Sequence, residues 1–238
     1  MSFFKLHPEF ERITGQSPRI VQSLANNAYP FAHEAGVYLP SKNQVLITSN
    51  RIMEGPNTQR IQISKIILHP NGTCSQEEIH ADIPMANGGV NYRDGVLFCS
   101  QGTNRQPSSL IWMEVEEPYR CETVVDSFYG RQFNSLNDVV VHSDGSIWFT
   151  DPIYGFEQKF RPQPQLPSQV YRYDPKERSI RAMADGFGRP NGIFFSPNEK
   201  VVYITDTNLI HGDGSIDMHR ASTMSVIWSL SFALYMVY

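Results

Sequence analysis

The 238-residue sequence predicts an all-β chain organised as a β-propeller, and three observations carry that expectation. A strand–turn–strand phrase recurs four times: Glu34-Ala-Gly-Val-Tyr-Leu…Val45-Leu-Ile-Thr, Asn87-Gly-Gly-Val-Asn-Tyr…Val96-Leu-Phe-Cys, Asn137-Asp-Val-Val-Val…Ile147-Trp-Phe-Thr and Asn191-Gly-Ile-Phe-Phe…Val202-Tyr-Ile-Thr. With Leu46, Leu97, Trp148 and Tyr203 aligned, the repeats are 51, 51 and 55 residues apart. A period near fifty is that of propeller blades rather than of helical arrays. Nowhere does a dozen-residue window show strong helical periodicity; short β-rich runs alternate with turn signals instead.

The elements follow in chain order. Residues 1–30, broken by Pro8, Pro18 and Pro30, read as a lead-in that covers the first repeat. Residues 31–220 read as the propeller domain, with about four blades. Each phrase supplies the two inner strands of one blade, joined at Ser41-Lys-Asn, Arg93-Asp-Gly, Ser143-Asp-Gly and Ser196-Pro-Asn-Glu. Asp-Gly and Pro-Asn tolerate the backbone angles that tight hairpins need. Third strands are expected at 61–68, 109–115 and 169–174, and weaker outer strands at 78–82, 121–126 and 180–185. Between the third phrase and its third strand, residues 155–168 form a Pro-rich connection, long enough either to cover a site or to serve as an exposed linker. The last 18 residues, Ala221–Tyr238, carry no charge.

Bulk properties narrow the function classes. Forty percent hydrophobic and 18% charged residues are ordinary for a globular domain. A net charge of −4 with scattered Lys and Arg argues against nucleic acid as a partner, which needs a clustered basic surface. Cys74, Cys99 and Cys121 fit no metal or redox spacing and read as reduced cysteines of a cytoplasmic protein. The N-terminus has no uninterrupted apolar segment or small-residue cleavage site, so no signal peptide is expected. The uncharged tail is at the short edge of a membrane-spanning length. A tail anchor is the minor expectation, a divergent strand a second, and a prematurely ended product the preferred one.

In a propeller the innermost strand of each blade runs along the central channel, and the residue before it lies at one mouth. Glu34, Asn87, Asn137 and Asn191 hold that phase, so they are expected to be neighbours despite their separation. One carboxylate and several carboxamides make a poor nucleophile set but a good oxygen cage for a hard divalent cation. Ca²⁺ is the first expectation, with Mg²⁺, Mn²⁺ or Zn²⁺ admissible. Asn-Gly and Asn-Asp also form turns with no ligand involved, and that reading stays open at each position.

Two segments carry a family resemblance. Ser135-Leu-Asn-Asp-Val-Val-Val-His-Ser-Asp-Gly-Ser-Ile-Trp-Phe-Thr-Asp-Pro-Ile-Tyr-Gly resembles the signature of the senescence-marker-protein/gluconolactonase/luciferin-regenerating family. Gly188-Arg-Pro-Asn-Gly-Ile-Phe-Phe-Ser-Pro…Val202-Tyr-Ile-Thr-Asp-Thr resembles the same family's next blade. The likeness runs over roughly residues 28–220 and is strongest to fungal and bacterial gluconolactonase-like members. It implies a six-bladed propeller with one divalent metal in the channel, and hydrolysis of sugar lactones or related esters. By resemblance Glu34 and Asn191 are metal ligands and Asn137 touches metal or substrate. Asn87 is left as channel lining beside the substrate. The implied chemistry is a metal-polarised lactone carbonyl attacked by water that a carboxylate activates. The family's remaining ligand and general base is an aspartate in a Pro-Asp-Gly phrase, and no such phrase occurs here. A binding protein without turnover is therefore the alternative.

Asp151 and Tyr154, in Asp-Pro-Ile-Tyr-Gly, are candidates to contact substrate from a strand end, although the favoured reading is that Asp-Pro caps the strand while Tyr154 packs. Asp206 holds the matching place one blade on. His33 beside Glu34 reads as a supporting or structural group. Asp213 and Asp217 lack the bidentate Glu of a Ca²⁺ loop. His142 and His211 have no triad partners, and no Gly-x-Ser-x-Gly elbow is present.

Overall fold

The computed structural model describes residues 7–16, 28–55, 58–219 and the backbone of 223–228. Four antiparallel sheets follow one another along the chain, as the repeats require. The first pairs Glu34–Leu39, Gln44–Thr48, Ile63–Leu68 and Cys74–Ile79 in that order. The second pairs Ala86–Tyr92, Gly95–Ser100, Ser109–Glu114 and Cys121–Val125, and the third pairs Val139–Val141, Ile147–Asp151, Gln169–Asp174 and Ser179–Ala184. The fourth holds Pro190–Phe195, Val201–Asp206 and Thr223–Trp228. Each sheet is a meander whose first strand lies innermost, the arrangement of a propeller blade.

The hairpins turn where the sequence places them. Asn43 (φ 51°) and Gly145 (φ 89°) take the left-handed conformation that such tight reversals demand. Two short two-stranded ribbons, Ile52–Gly55 with Thr58–Arg60 and Ser127–Phe128 with Arg131–Gln132, stand outside the blades. The described helices are short, Glu9–Thr14 and Tyr154–Glu157.

Two expectations change. The first blade's outer strand is Cys74–Ile79, not 78–82. Its ladder runs from Leu68↔Cys74 to Ile63↔Ile79, set by a turn in which His69 N–H donates to the Thr73 carbonyl and the Thr73 carbonyl-side strand begins at once. The polar run Ser75-Gln-Glu-Glu has no alternation to reveal it, because an edge strand is only half covered. The tail also joins the sheet: Thr223–Trp228 pairs with Val201–Asp206 over six residues. Residues 221–222 and 229–238 lie outside the described residues, and with them most of the candidate anchor. Among the described residues no helix is long and apolar enough to cross a membrane.

Hydrophobic packing fills the seams between blades. Val37, Leu39, Leu46 and Ile63 of the first blade meet Val96, Phe98 and Met113 of the second. Leu97, Cys99 and Leu110 meet Phe133, Leu136, Val139, Phe149 and Tyr171 across the next seam. Trp148 and Val170 meet Ile193, Val202 and Ile204 across the third. Cys99 is thus core, its thiol raised well above the ordinary range by burial. The Pro-rich connection is tied down rather than loose. Phe160, Arg161 and Leu166 are buried in it. The Arg161 guanidinium donates to the carbonyls of Asn134 (2.9 Å), Thr103 (2.6 Å), Gln106 (2.7 Å) and Phe133 (2.9 Å).

Candidate functional site

The inner strands all start irregularly, and the site grows from those irregularities. In the second blade Ala86 faces Ser100 and Gly89 faces Phe98, so Asn87 and Gly88 together oppose one residue. Asn191 and Gly192 do the same between Pro190↔Asp206 and Ile193↔Ile204. In the first blade the bulge lies between Ala35 (φ 69°) and Val37, just after Glu34. In the third the ladder begins only at Val139, after Asn137 and Asp138. An extra residue bends the strand and re-aims its side chain. Three such kinks and the late start of the third strand leave Glu34, Asn87, Asn137 and Asn191 lining one cavity of about 290 Å³. That is close to the lower bound of ordinary small-molecule sites.

Each asparagine is held by its backbone from the blade before it. The Thr48 hydroxyl donates to the Asn87 carbonyl (3.2 Å), Gly88 N–H to the Asn137 carbonyl (2.9 Å), and the Thr150 hydroxyl to the Asn191 carbonyl (2.7 Å). Asp138 closes the last seam, accepting from Val139 N–H and Ile193 N–H. With the main chains clamped, the carboxamides are left for the cavity. Asn87 and Asn137 are buried, and their Oδ1 atoms have no hydrogen-bond donor. Asn191 Nδ2 donates to the Tyr154 hydroxyl (3.3 Å), which is itself bonded to the Thr207 hydroxyl. Glu34 is part-buried; burial, with the Asp138 carboxylate adding to it, raises its carboxyl to about 6.

Buried acceptors without donors are costly unless something electropositive meets them. Among the described residues no group of three His, Cys, Asp or Glu side chains gathers at metal-binding range. A cation here would rest on one carboxylate and carboxamide oxygens, a hard and weakly charged donor set suited to Ca²⁺. Glu34, Asn137 and Asn191, which line the cavity with Asn87, could supply such oxygens.

Tyr154 lines the cavity. Asp151 does not. It is fully buried, and its two carboxylate oxygens accept from Asn134 N–H (3.0 Å) and Ser135 N–H (2.9 Å). Asp206 repeats the device one blade on, accepting from Gly188 N–H and Arg189 N–H. Both carboxylates tie the end of one strand to the entry of the strand before it, which is the capping role. His33 lies 3.7 Å from Glu34 and lines the same cavity. His142 sits away from it, paired with Asp144 and Glu199.

The cavity has walls that the repeats did not announce. Arg51 stands on the loop leaving the first blade's second strand, and Gln101 directly follows the second strand of the second blade. His211 to Gly214 form a turn on the far side. Glu157 anchors that turn, accepting from Gly212 N–H (2.6 Å) while its carboxylate pairs with the buried Arg189. Arg51 and Gln101 carry no shared-phase signal, since Arg51 lies three residues past Thr48 and Gln101 one past Ser100. None existed for Glu157 either, whose partners are 32 and 55 residues away.

Residues 26–210 match the family model described as the SMP-30/Gluconolactonase/LRE-like region. The chain belongs to this family. Among curated relatives, lactonohydrolase oryL of Aspergillus oryzae is 30% identical over 183 residues, covering 74% of this chain and 41% of the relative. The gluconolactonase of Zymomonas mobilis is 31% identical over 121 residues, covering 46% of this chain and 34% of that protein. This member of the family therefore spans less than half the length of those relatives. The solved gluconolactonase of Xanthomonas campestris superposes with a TM-score of 0.60 at 22% identity, over 84% of this chain and 60% of that one. At that identity the likeness bears on the propeller fold alone.

Proposed function

We propose that the protein is a divalent-metal-dependent lactone hydrolase. The observation that carries the reading is the convergence of Glu34, Asn87, Asn137 and Asn191 on one cavity with two buried carboxamide oxygens lacking donors. Family membership supports the reaction class, and both relatives named above are lactone-acting by description. Glu34, Asn137 and Asn191 would hold the cation, Ca²⁺ by donor type, and a bound cation supplies a Lewis acid for the lactone carbonyl.

Other side chains of the cavity bind and position. Asn87 and Gln101 line the wall with carboxamides suited to sugar hydroxyls. The Tyr154 hydroxyl, held between Asn191 Nδ2 and Thr207, keeps the Asn191 side chain in one rotamer. In the reaction, water oxygen bonds to the carbonyl carbon, the ring C–O bond breaks, and the ring oxygen takes a proton. The product is one hydroxy acid. The free cysteines Cys74, Cys99 and Cys121 are consistent with a reducing, cytoplasmic compartment.

Proton release from glucono-1,5-lactone in a weakly buffered assay tests the reading, alongside melting temperature with and without millimolar Ca²⁺. A bound cation at 100 times its dissociation constant stabilises by about 2.7 kcal/mol. For a chain of this size that raises the melting point by roughly 5–10 °C. Glu34→Gln and Asn191→Ala are each expected to remove this rise and to cut turnover at least about 100-fold. Wild-type activity in both variants would overturn the site. Binding without turnover is the second reading, because Glu34, the carboxylate beside the lining carboxamides, is already assigned to the cation. Calcium stabilisation in a chain that hydrolyses no lactone would select it.

A further inference from the structure

Three arginines of the described residues other than Arg51 are buried or largely so, and each is committed: Arg172 pairs with Asp144 and Asp174. Arg161 donates to backbone carbonyls, and Arg189 pairs with Glu157 and donates to the Asn208 carbonyl (3.1 Å). Arg51 is different. It is half-buried in the wall of the site cavity, and burial lowers its guanidinium pKa. Among the described residues it has no carboxylate within ion-pair distance, and its guanidinium makes one side-chain hydrogen bond, Nη1 to Gln59 Oε1 (3.1 Å).

That bond holds the group still rather than neutralising it. Gln59 sits on the ribbon Thr58–Arg60, and its Nε2 donates to the Gln158 carbonyl (2.8 Å), just beyond the helical turn that carries Tyr154. The Arg51–Gln59–Gln158 chain therefore spans from the first blade to the third across the mouth of the cavity. With Nη1 occupied, Nε and Nη2 remain. These two present parallel N–H bonds, the pair that meets the oxygens of a carboxylate or phosphate. A cation held in place, part-desolvated and lacking a protein counter-ion is complete only when an anion arrives. Glu34 is not that anion, since its ion-pair neighbour is His33 (3.7 Å) and not Arg51.

We infer that Arg51 is a specificity-determining residue that recognises an anionic substituent on the substrate, so that the lactones taken are those of sugar acids carrying a further carboxylate or a phosphate. The inference rests on the lactone-hydrolase reading of the same cavity. A neutral lactone would bind with the guanidinium unpaired.

The test compares three lactones with the full chain: glucono-1,5-lactone (neutral), glucaro-1,4-lactone (carboxylate) and 6-phosphoglucono-1,5-lactone (phosphate). Wild type is expected to show higher kcat/KM for one of the two anionic lactones than for the neutral one, and which one identifies the source of the charge. Arg51→Gln is expected to lower the anionic-to-neutral ratio of kcat/KM by about 10- to 100-fold, the range of a charge-assisted contact, through KM more than kcat. Arg51→Lys should recover part of that ratio. A wild type that prefers the neutral lactone, or a ratio unmoved in Arg51→Gln, overturns the inference. An equal loss on all three lactones also overturns it, because it marks a structural role. If wild type opens none of the three, the hydrolase reading fails and the inference is decided by calorimetry with glucarate, 6-phosphogluconate and gluconate. Tighter binding of either of the first two that is lost in Arg51→Gln upholds it, and no discrimination among the three overturns it.

Discussion

Replacing Arg161 by lysine probes how the Pro-rich connection is secured. Arg161 is 5% exposed, and its guanidinium donates through Nε, Nη1 and Nη2 to four backbone carbonyls, those of Asn134, Thr103, Gln106 and Phe133, at 2.6–2.9 Å. Lysine keeps the charge but offers three N–H groups on one nitrogen, with no planar fork. It can follow one or two of these carbonyls and must abandon the others. A buried acceptor left without a donor costs about 1–3 kcal/mol. Arg161→Lys is therefore expected to destabilise by about 2–4 kcal/mol, and Arg161→Ala by more. Urea unfolding followed by the three tryptophans measures it. At about 2–4 °C per kcal/mol the melting point should fall by roughly 5–15 °C. A change under about 1 kcal/mol in Arg161→Lys would refute the argument, because the four carbonyls would then be served equally well by an ammonium group or by water.

Two further outcomes follow from single contacts. In Gly88→Ala the new Cβ would stand 2.6 Å from the Asn137 carbonyl and 2.6 Å from Asp138 Oδ1, so the second and third blades must part; a loss of about 2–3 kcal/mol in urea unfolding and a smaller calcium-induced rise in melting temperature are expected, and a wild-type melt would contradict both. Burial raises the Asp151 carboxyl to about 7, above its ordinary 3.8, so the folded chain binds a proton that the unfolded chain releases. That contribution is complete below about pH 4 and is lost as pH climbs to about 7; stability should drop across this window, Asp151→Asn should flatten the drop, and a pH profile identical in both proteins would exclude Asp151 as its source.

The blades were legible because strands covered on both sides by neighbouring blades repeat their apolar pattern closely. Leu46, Leu97 and Trp148 are all essentially buried at one phase. The Cys74–Ile79 edge was not, since a strand half open to water carries no alternation to read. Within the site, phase alone brought Glu34, Asn87, Asn137 and Asn191 together. Asp151 defeated the same reasoning by one residue, because a strand's side chains alternate and its neighbour Thr150 carries the contact to Asn191. Arg51 and Glu157 were hidden for another reason. Their partners Gln59, Gly212 and Arg189 lie on connections whose course no periodicity fixes.

Each channel asparagine serves two masters: its side chain faces the cavity, and its carbonyl is gripped by Thr48, Gly88 or Thr150 of the preceding blade. The cavity is consequently not a patch that can be grafted or reshaped one repeat at a time. A mutation that slackens any seam moves a lining group, and a ligand drawn to the lining groups tightens every seam behind them. Double-mutant cycles pairing a seam hydroxyl with the asparagine of the next blade should report non-additive energies, as expected of parts that share one mechanical constraint.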